Sequence, residues 1–208
     1  MPRIFCVLFT FLCLASLGAA EPTKLFDGKT LNGWEGDKGT WRIEDGAIVG
    51  GSLDKAVPRN EFLCTTKSYG DFELKVKFKL VGDPKNANAG VQFRTKRIPN
   101  HHEVSGYQAD VGQGYWGALY DESRRNKVLV QPDRTVIDKI VKHDDWNDYL
   151  IRCEGPRIRL WLNGALTVDY TEKDAKIERT GIIGLQIHGG AKAKAYYKDI
   201  VIDELPAK

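Results

Sequence analysis

The sequence predicts an all-β fold, a two-sheet antiparallel β-sandwich, and three observations carry that expectation. Apolar residues recur with period two and nowhere at sustained helical spacing. Turn dipeptides interrupt the chain at short intervals. The strand-like runs between them are many and short, as in two packed sheets or a closed barrel, of which the sandwich is preferred.

The elements follow in order. Thr40 to Gly51 reads as a hairpin turning at Asp45-Gly46, a dipeptide that tolerates the positive φ of tight turns. A strand follows at Phe62 to Thr65. In Asp71 to Leu80, residues Phe72, Leu74, Val76, Phe78 and Leu80 point one way, while Asp71, Glu73, Lys75, Lys77 and Lys79 point the other. That is the pattern of a half-buried antiparallel strand. Further strands are expected at Ala89 to Thr95, Gly106 to Val111, Val128 to Gln131 and Asp148 to Cys153. Arg157 to Tyr170 makes a second hairpin about Asn163-Gly164, and Gly181 to His188 and Tyr196 to Glu204 complete the set. Helix is confined to a turn or so near Lys173 to Arg179. Trp34, Trp41, Trp146 and Trp161 lie on or beside regular strands and are assigned to packing.

Met1 to Ala20 carries Arg3, the apolar run Ile4 to Leu17, and Gly18-Ala19-Ala20 before Glu21, the layout of a secretory signal peptide. The run is too short for a permanent span. An exported chain, periplasmic or extracellular, is therefore expected, with residues 21–208 forming a single β-sandwich domain. The 31 basic and 28 acidic residues give a net charge of only +3. No basic run accompanies them, which argues against a nucleic-acid partner. After loss of the signal segment only Cys64 and Cys153 remain; an oxidising compartment permits them to pair, and two buried thiols are the alternative.

Alternation also sorts polar residues onto faces. With Val91 and Phe93 in the core, Asn88, Gly90, Gln92 and Arg94 fall on the opposite surface. Tyr107, Ala109 and Val111 share one side of their strand and leave Gln108 and Asp110 on the other. Ile183, Leu185 and Ile187 likewise leave Gln186 and His188 facing out. If those strands are neighbours, the outer face of one sheet is a ligand surface. Amides, a guanidinium and a carboxylate beside aromatic rings suit a polyhydroxylated ligand, whose C–H faces pack on rings and whose hydroxyls take the polar groups.

On that surface Arg94 and Gln108 suit carbonyl or hydroxyl oxygens, with solvated sheet face as the plainer alternative. Asp110 is a candidate base, or a partner for Arg94. His101-His102-Glu103 follows Pro99-Asn100 and so belongs to a loop, where His102 or Glu103 is placed to move protons. His188 is a further candidate. Tyr107, Trp116 and Tyr120 bring aromatic surface, and Trp116 and Tyr115 sit among Gly112, Gly114 and Gly117, where a ring can stand clear. Gln92, Glu122, Arg124 and Gln186 are expected to border the same cleft. No zinc or EF-hand spacing occurs, so a divalent metal ion polarising a carbonyl rests on residue types alone.

Several phrases together carry a family resemblance: Leu25-Phe26-Asp27-Gly28-Lys29-Thr30-Leu31-Asn32-Gly33-Trp34, Tyr69-Gly70-Asp71-Phe72-Glu73-Leu74, Asn88-Ala89-Gly90-Val91-Gln92-Phe93-Arg94, Gly106-Tyr107-Gln108-Ala109-Asp110, Trp146-Asn147-Asp148-Tyr149 and Leu162-Asn163-Gly164. In order and spacing the chain resembles the 3-keto-disaccharide hydrolase domain family. The resemblance implies a concanavalin A-like jelly roll and action on glycosides oxidised to a ketone at C3. A C3 carbonyl acidifies the C2 proton, so a base can remove it, the enolate can expel the C1 substituent, and water can add back. Direct displacement at C1 by paired carboxylates is the alternative route. The rival to an enzyme is a non-catalytic carbohydrate-binding module. Tyr107-Gln108-Ala109-Asp110 stands where ordinary glucanases of this fold carry a Glu-x-Asp-x-x-Glu strand, which disfavours conventional glucan cleavage. Gly-x-Ser-x-Gly, phosphate-loop and dinucleotide motifs are absent from the sequence.

Overall fold

The computed structural model describes residues 21–207, so the expected signal segment lies outside the described residues. Two antiparallel sheets pack face to face, as the period-two pattern requires. In chain order the strands are β1 Thr23–Lys24, β2 Trp34–Glu35, β3 Trp41–Glu44, β4 Ala47–Ser52, β5 Glu61–Tyr69, β6 Phe72–Gly82, β7 Asn88–Arg97, β8 Val104–Gly112, β9 Leu119–Glu122 and β10 Lys127–Val130. Helix α1 spans Arg134–Ile140, and β11 Asn147–Glu154, β12 Arg157–Leu162, β13 Ala165–Thr171, β14 Gly181–Ile187 and β15 Ala193–Glu204 close the fold.

One sheet runs β13-β12-β11-β6-β15-β4-β3, with β1 also paired to β15; the other runs β10-β9-β8-β7-β14-β5-β2. The core lies between them. The apolar set of β6 enters it as the alternation predicts, meeting Val91, Phe93, Leu185 and Ile187 from the second sheet. Each fully buried aromatic or branched side chain removed from water contributes about 1.5–3 kcal/mol, so this shared apolar layer fixes the register of both sheets. Both predicted hairpins turn at Asp45-Gly46 and Asn163-Gly164, where all four residues have positive φ.

Two expectations are corrected, and the alternative left open for the cysteines is decided. The helix is Arg134–Ile140, with Asp133 capping it through the Thr135 amide, and not a turn within 173–179. Trp34 and Trp41 are core residues, but Trp146 and Trp161 are half-buried on the outer face of the eight-stranded sheet, where Lys79 and Lys198 lie over the Trp146 ring and Arg159 over that of Trp161. Cys64 and Cys153 are both free and buried in different sheets, so they do not pair. Burial pushes each thiol up to about 12. Among the described residues no helix is long and apolar enough to cross a membrane.

Candidate functional site

The outer face of the seven-stranded sheet carries the site, and strand register assembles it. Gln186 of β14 pairs with Gly90 of β7, which pairs with Asp110 of β8. In the next row, Gly184, Gln92, Gln108 and Tyr120 follow one another across β14, β7, β8 and β9. Glu122 of β9 pairs with Gly106. Each of these positions alternates with a core residue, so apolar packing on one side aims amides and carboxylates out of the other.

Gly90 is where the grid must be bare. A methyl group there would stand 2.5 Å from Cδ of Gln108, so its absence lets that amide lie flat across β7. The Gln92 amide then donates to Gln108 Oε1 at 2.6 Å, and Gln108 donates to Asp110 Oδ2 at 3.1 Å. Asn88 and the Val111 backbone both donate to Asp110 Oδ1, each at 2.9 Å. The result is a polar pocket of about 160 Å³ whose walls include Asn88, Gln108, Asp110, Tyr115, Tyr120, Glu122 and His188.

Burial pushes the Asp110 carboxyl up to about 7, although its three donors favour the ionised form. Burial likewise pushes Glu122 up to about 7, with the neighbouring charge of Glu103 second; the Gln186 amide, donating at 3.2 Å, offsets part of this. Two carboxyl groups thus share one pocket, both held above the ordinary carboxylate range by burial. The side-chain oxygens of Gln92 and Gln186 are buried without a hydrogen-bond partner in the protein, and such groups are costly unless something else satisfies them.

The rim comes from loops. His102 and Glu103 are half-buried beside Asn60: the Asn60 amide donates to Glu103 Oε1 at 3.1 Å, and His102 Nδ1 lies 3.2 Å from the Asn60 carbonyl. Asn60 also accepts from the Gly189 amide at 3.0 Å. It therefore ties three segments together at the pocket edge. Sequence reading missed Asn60, which sits in a loop without a local pattern. It also preferred Trp116 to Tyr115, although Tyr115 is the neighbour that lines this pocket; Trp116 faces an adjacent cleft, against Phe78 and His143.

Three expected ligand-binding residues are elsewhere. Arg94 has φ +46 within a β-bulge that shifts register between Phe93 and Lys96, and this turns its side chain to the end of the sandwich. There it pairs with Asp71 at 2.7 Å and donates to the Gly70 and Gly155 carbonyls. Tyr107 faces the core, stacked on Phe93, and its hydroxyl donates to Glu172 at 2.6 Å. Arg124 lies over the Tyr107 ring and bonds Asp121. Among the described residues no group of three or more His, Cys, Asp or Glu side chains is disposed to hold a metal ion.

Fold and site together define a lectin-type β-sandwich with an amide-lined, doubly acidic pocket on one sheet face. Residues 21–203 match the 3-keto-alpha-glucoside-1,2-lyase-like domain, and the chain belongs to that family. Among solved structures it is similar to a candidate glycosyl hydrolase from Parabacteroides distasonis ATCC 8503, with 20% identity, 89% of this chain and 94% of that chain covered, and a TM-score of 0.69. It is also similar to a carbohydrate-binding module from Bacillus subtilis, with 15% identity, 83% and 96% covered, and a TM-score of 0.62. A Bacillus subtilis protein with a galectin-like fold shares 12% identity over 91% and 97% of the two chains, with a TM-score of 0.65. No curated protein sequence matches.

Proposed function

We propose that this protein is exported and cleaves 3-keto-glycosides by elimination and rehydration. Asp110 takes the C2 proton of the oxidised sugar. The C2–H electrons form the C2=C3 enolate, whose oxygen rests on amide donors of the pocket wall. The enolate then re-forms the ketone as the C1–O bond breaks, and Glu122 gives its proton to the departing oxygen. Water adds across the C1=C2 bond of the product, returning a proton to C2 and placing a hydroxyl on C1, which sums to hydrolysis. Asp110 suits the base because three donors support its charge, and Glu122 suits the acid because Glu103 beside it favours the protonated form.

The observation that carries this reading is the buried Asp110–Glu122 pair, both carboxyls pushed up to about 7 in one pocket. Family membership supports the choice of substrate class. The test is incubation with 3-keto-trehalose in D₂O, followed by NMR. Glucose release with deuterium appearing at C2 of the 3-keto product is expected. Release without C2 deuterium would favour direct displacement. Binding without turnover would favour a non-catalytic sugar-binding module, the reading to which the similarity with the Bacillus subtilis module points.

A further inference from the structure

The loop between β8 and β9 separates two depressions of unlike chemistry. On one side is the polar pocket, about 160 Å³. On the other, contiguous hollows of about 170 and 740 Å³ share Pro84, Gln113, Trp116 and His143. Gln113 belongs to the wall of all three. Adjacent side chains of the loop face opposite ways, Tyr115 into the polar pocket and Trp116 into the larger cleft, whose floor includes Pro132, Ile137 and Val141.

We propose that the Trp116 cleft receives the leaving group of the substrate, and that this group is a ring with an apolar face, packed against the indole. The inference rests on the elimination reading above and names what lies beyond C1. The polar pocket is well under the roughly 300–1,000 Å³ of sites that enclose drug-sized ligands, so a two-ring glycoside extends past its wall. Gln113 is the wall beyond which space opens.

The cleft is built to take such a ring. Trp116 meets His143 edge-on, with centroids 5.7 Å apart, and lies tilted against Phe78 at 6.2 Å, which fixes the indole plane. The loop is pinned on both flanks: Gln113 donates to the Asn86 carbonyl at 3.1 Å, and Gln131 donates to the Gly114 carbonyl at 3.0 Å. An apolar floor with Lys85 and Arg134 also on its walls suits a pyranose C–H face ringed by hydroxyls, or an aryl aglycone, since both present apolar surface to an indole.

The experiment compares kcat/KM for three 3-keto-glucosides that differ only at C1: methyl, phenyl and glucosyl, the last being 3-keto-trehalose. Trp116→Ala is expected to lower the phenyl and glucosyl values about 10- to 100-fold relative to the methyl value. Because Trp116 also packs on Phe78, Gly114→Trp is the companion variant. A Cβ at Gly114 meets no atom within 4 Å and the residue lines the cleft, so a bulky side chain there has room to start and narrows the cleft, and it is expected to reproduce the selective loss. A phenyl loss without a glucosyl loss assigns the cleft to aryl aglycones, and the converse assigns it to sugars. An equal fall for all three substrates, or no change in their ratios, overturns the leaving-group role alone. Absence of turnover on every substrate by the unaltered protein overturns the elimination reading, and the cleft's role with it.

Discussion

Asp121 and Glu122 are neighbours on β9, both nearly sealed from solvent at 0% and 9% exposure, yet their surroundings are opposite. Asp121 points between the sheets and is held by Arg124 and Arg125, and Arg125 in turn bonds Glu172 at 2.7 Å. Burial raises the Glu172 carboxyl, but hydrogen bonds from Arg125 and Tyr107 outweigh it and hold the group at about 2. Glu122 points the other way, onto the sheet face, where the Gln186 amide, the Ser123 backbone N–H and further carboxylates act on it, and burial lifts it to about 7. A carboxylate compensated by cations holds the fold together. One buried without them keeps a proton that chemistry can use.

The largest expected effect tests the uncompensated side. Asp110→Asn removes the base while keeping the shape, and the Gln92 and Gln108 amides can rotate to suit it because Gln92 Oε1 has no partner to lose. Turnover of 3-keto-trehalose is expected to fall about 10²–10⁴-fold, measured by glucose release. Stability moves the opposite way. In the folded chain Asp110 and Glu122 keep protons up to about 7, above their ordinary values of 3.8 and 4.5. The native state therefore binds more protons between about 4 and 7, and stability falls as pH rises through that window. Calorimetry should find Asp110→Asn more heat-stable than the parent at pH 8, by about 2–4 °C for each kcal/mol recovered, and no gain at pH 4. Glu172 has the reverse sign: its contribution is present above 4.5 and is lost as pH falls toward 2.

The compensated side is tested next. Arg94→Met takes the guanidinium from Asp71 and leaves the Gly70 and Gly155 carbonyls without that donor. Breaking such a buried pair costs about 3–5 kcal/mol, read as a lowered urea midpoint. Turnover per folded molecule is expected to match the parent. A selective loss of kcat instead would return Arg94 to the substrate.

That Arg94 looked like a ligand residue shows where sequence reading stops. Strict alternation from Val91 and Phe93 places it beside Gln92, and one extra residue in β7 reverses the assignment. No residue type marks the bulge, since the positive φ falls on the arginine and not on a glycine. Where the ladder is regular, the pattern suffices: Gln108, Asp110 and Gln186 face out because Ala109, Val111, Leu185 and Ile187 face in. The seven-residue α1 is too short to display helical spacing, and its one local signal is the capping Asp133 after Pro132. Asn60 and Tyr115 lie in loops, where neither period two nor any other repeat says which way a side chain turns.

The smallest expected effect concerns the carboxylate that links rim to pocket. Glu103 adds its charge to the environment of Glu122, and its Oε2 is buried without a partner in the protein. Glu103→Gln keeps an oxygen for the Asn60 amide and removes only the charge. The Glu122 carboxyl then releases its proton at lower pH, so the alkaline limb of the kcat/KM profile, which follows loss of the acid, should move down by about one unit or less. The acidic limb, set by the base, should stay near its original position. A movement of both limbs together would assign Glu103 to Asp110 as much as to Glu122, and an unmoved profile with a lowered melting temperature would make the Asn60–Glu103 contact purely structural.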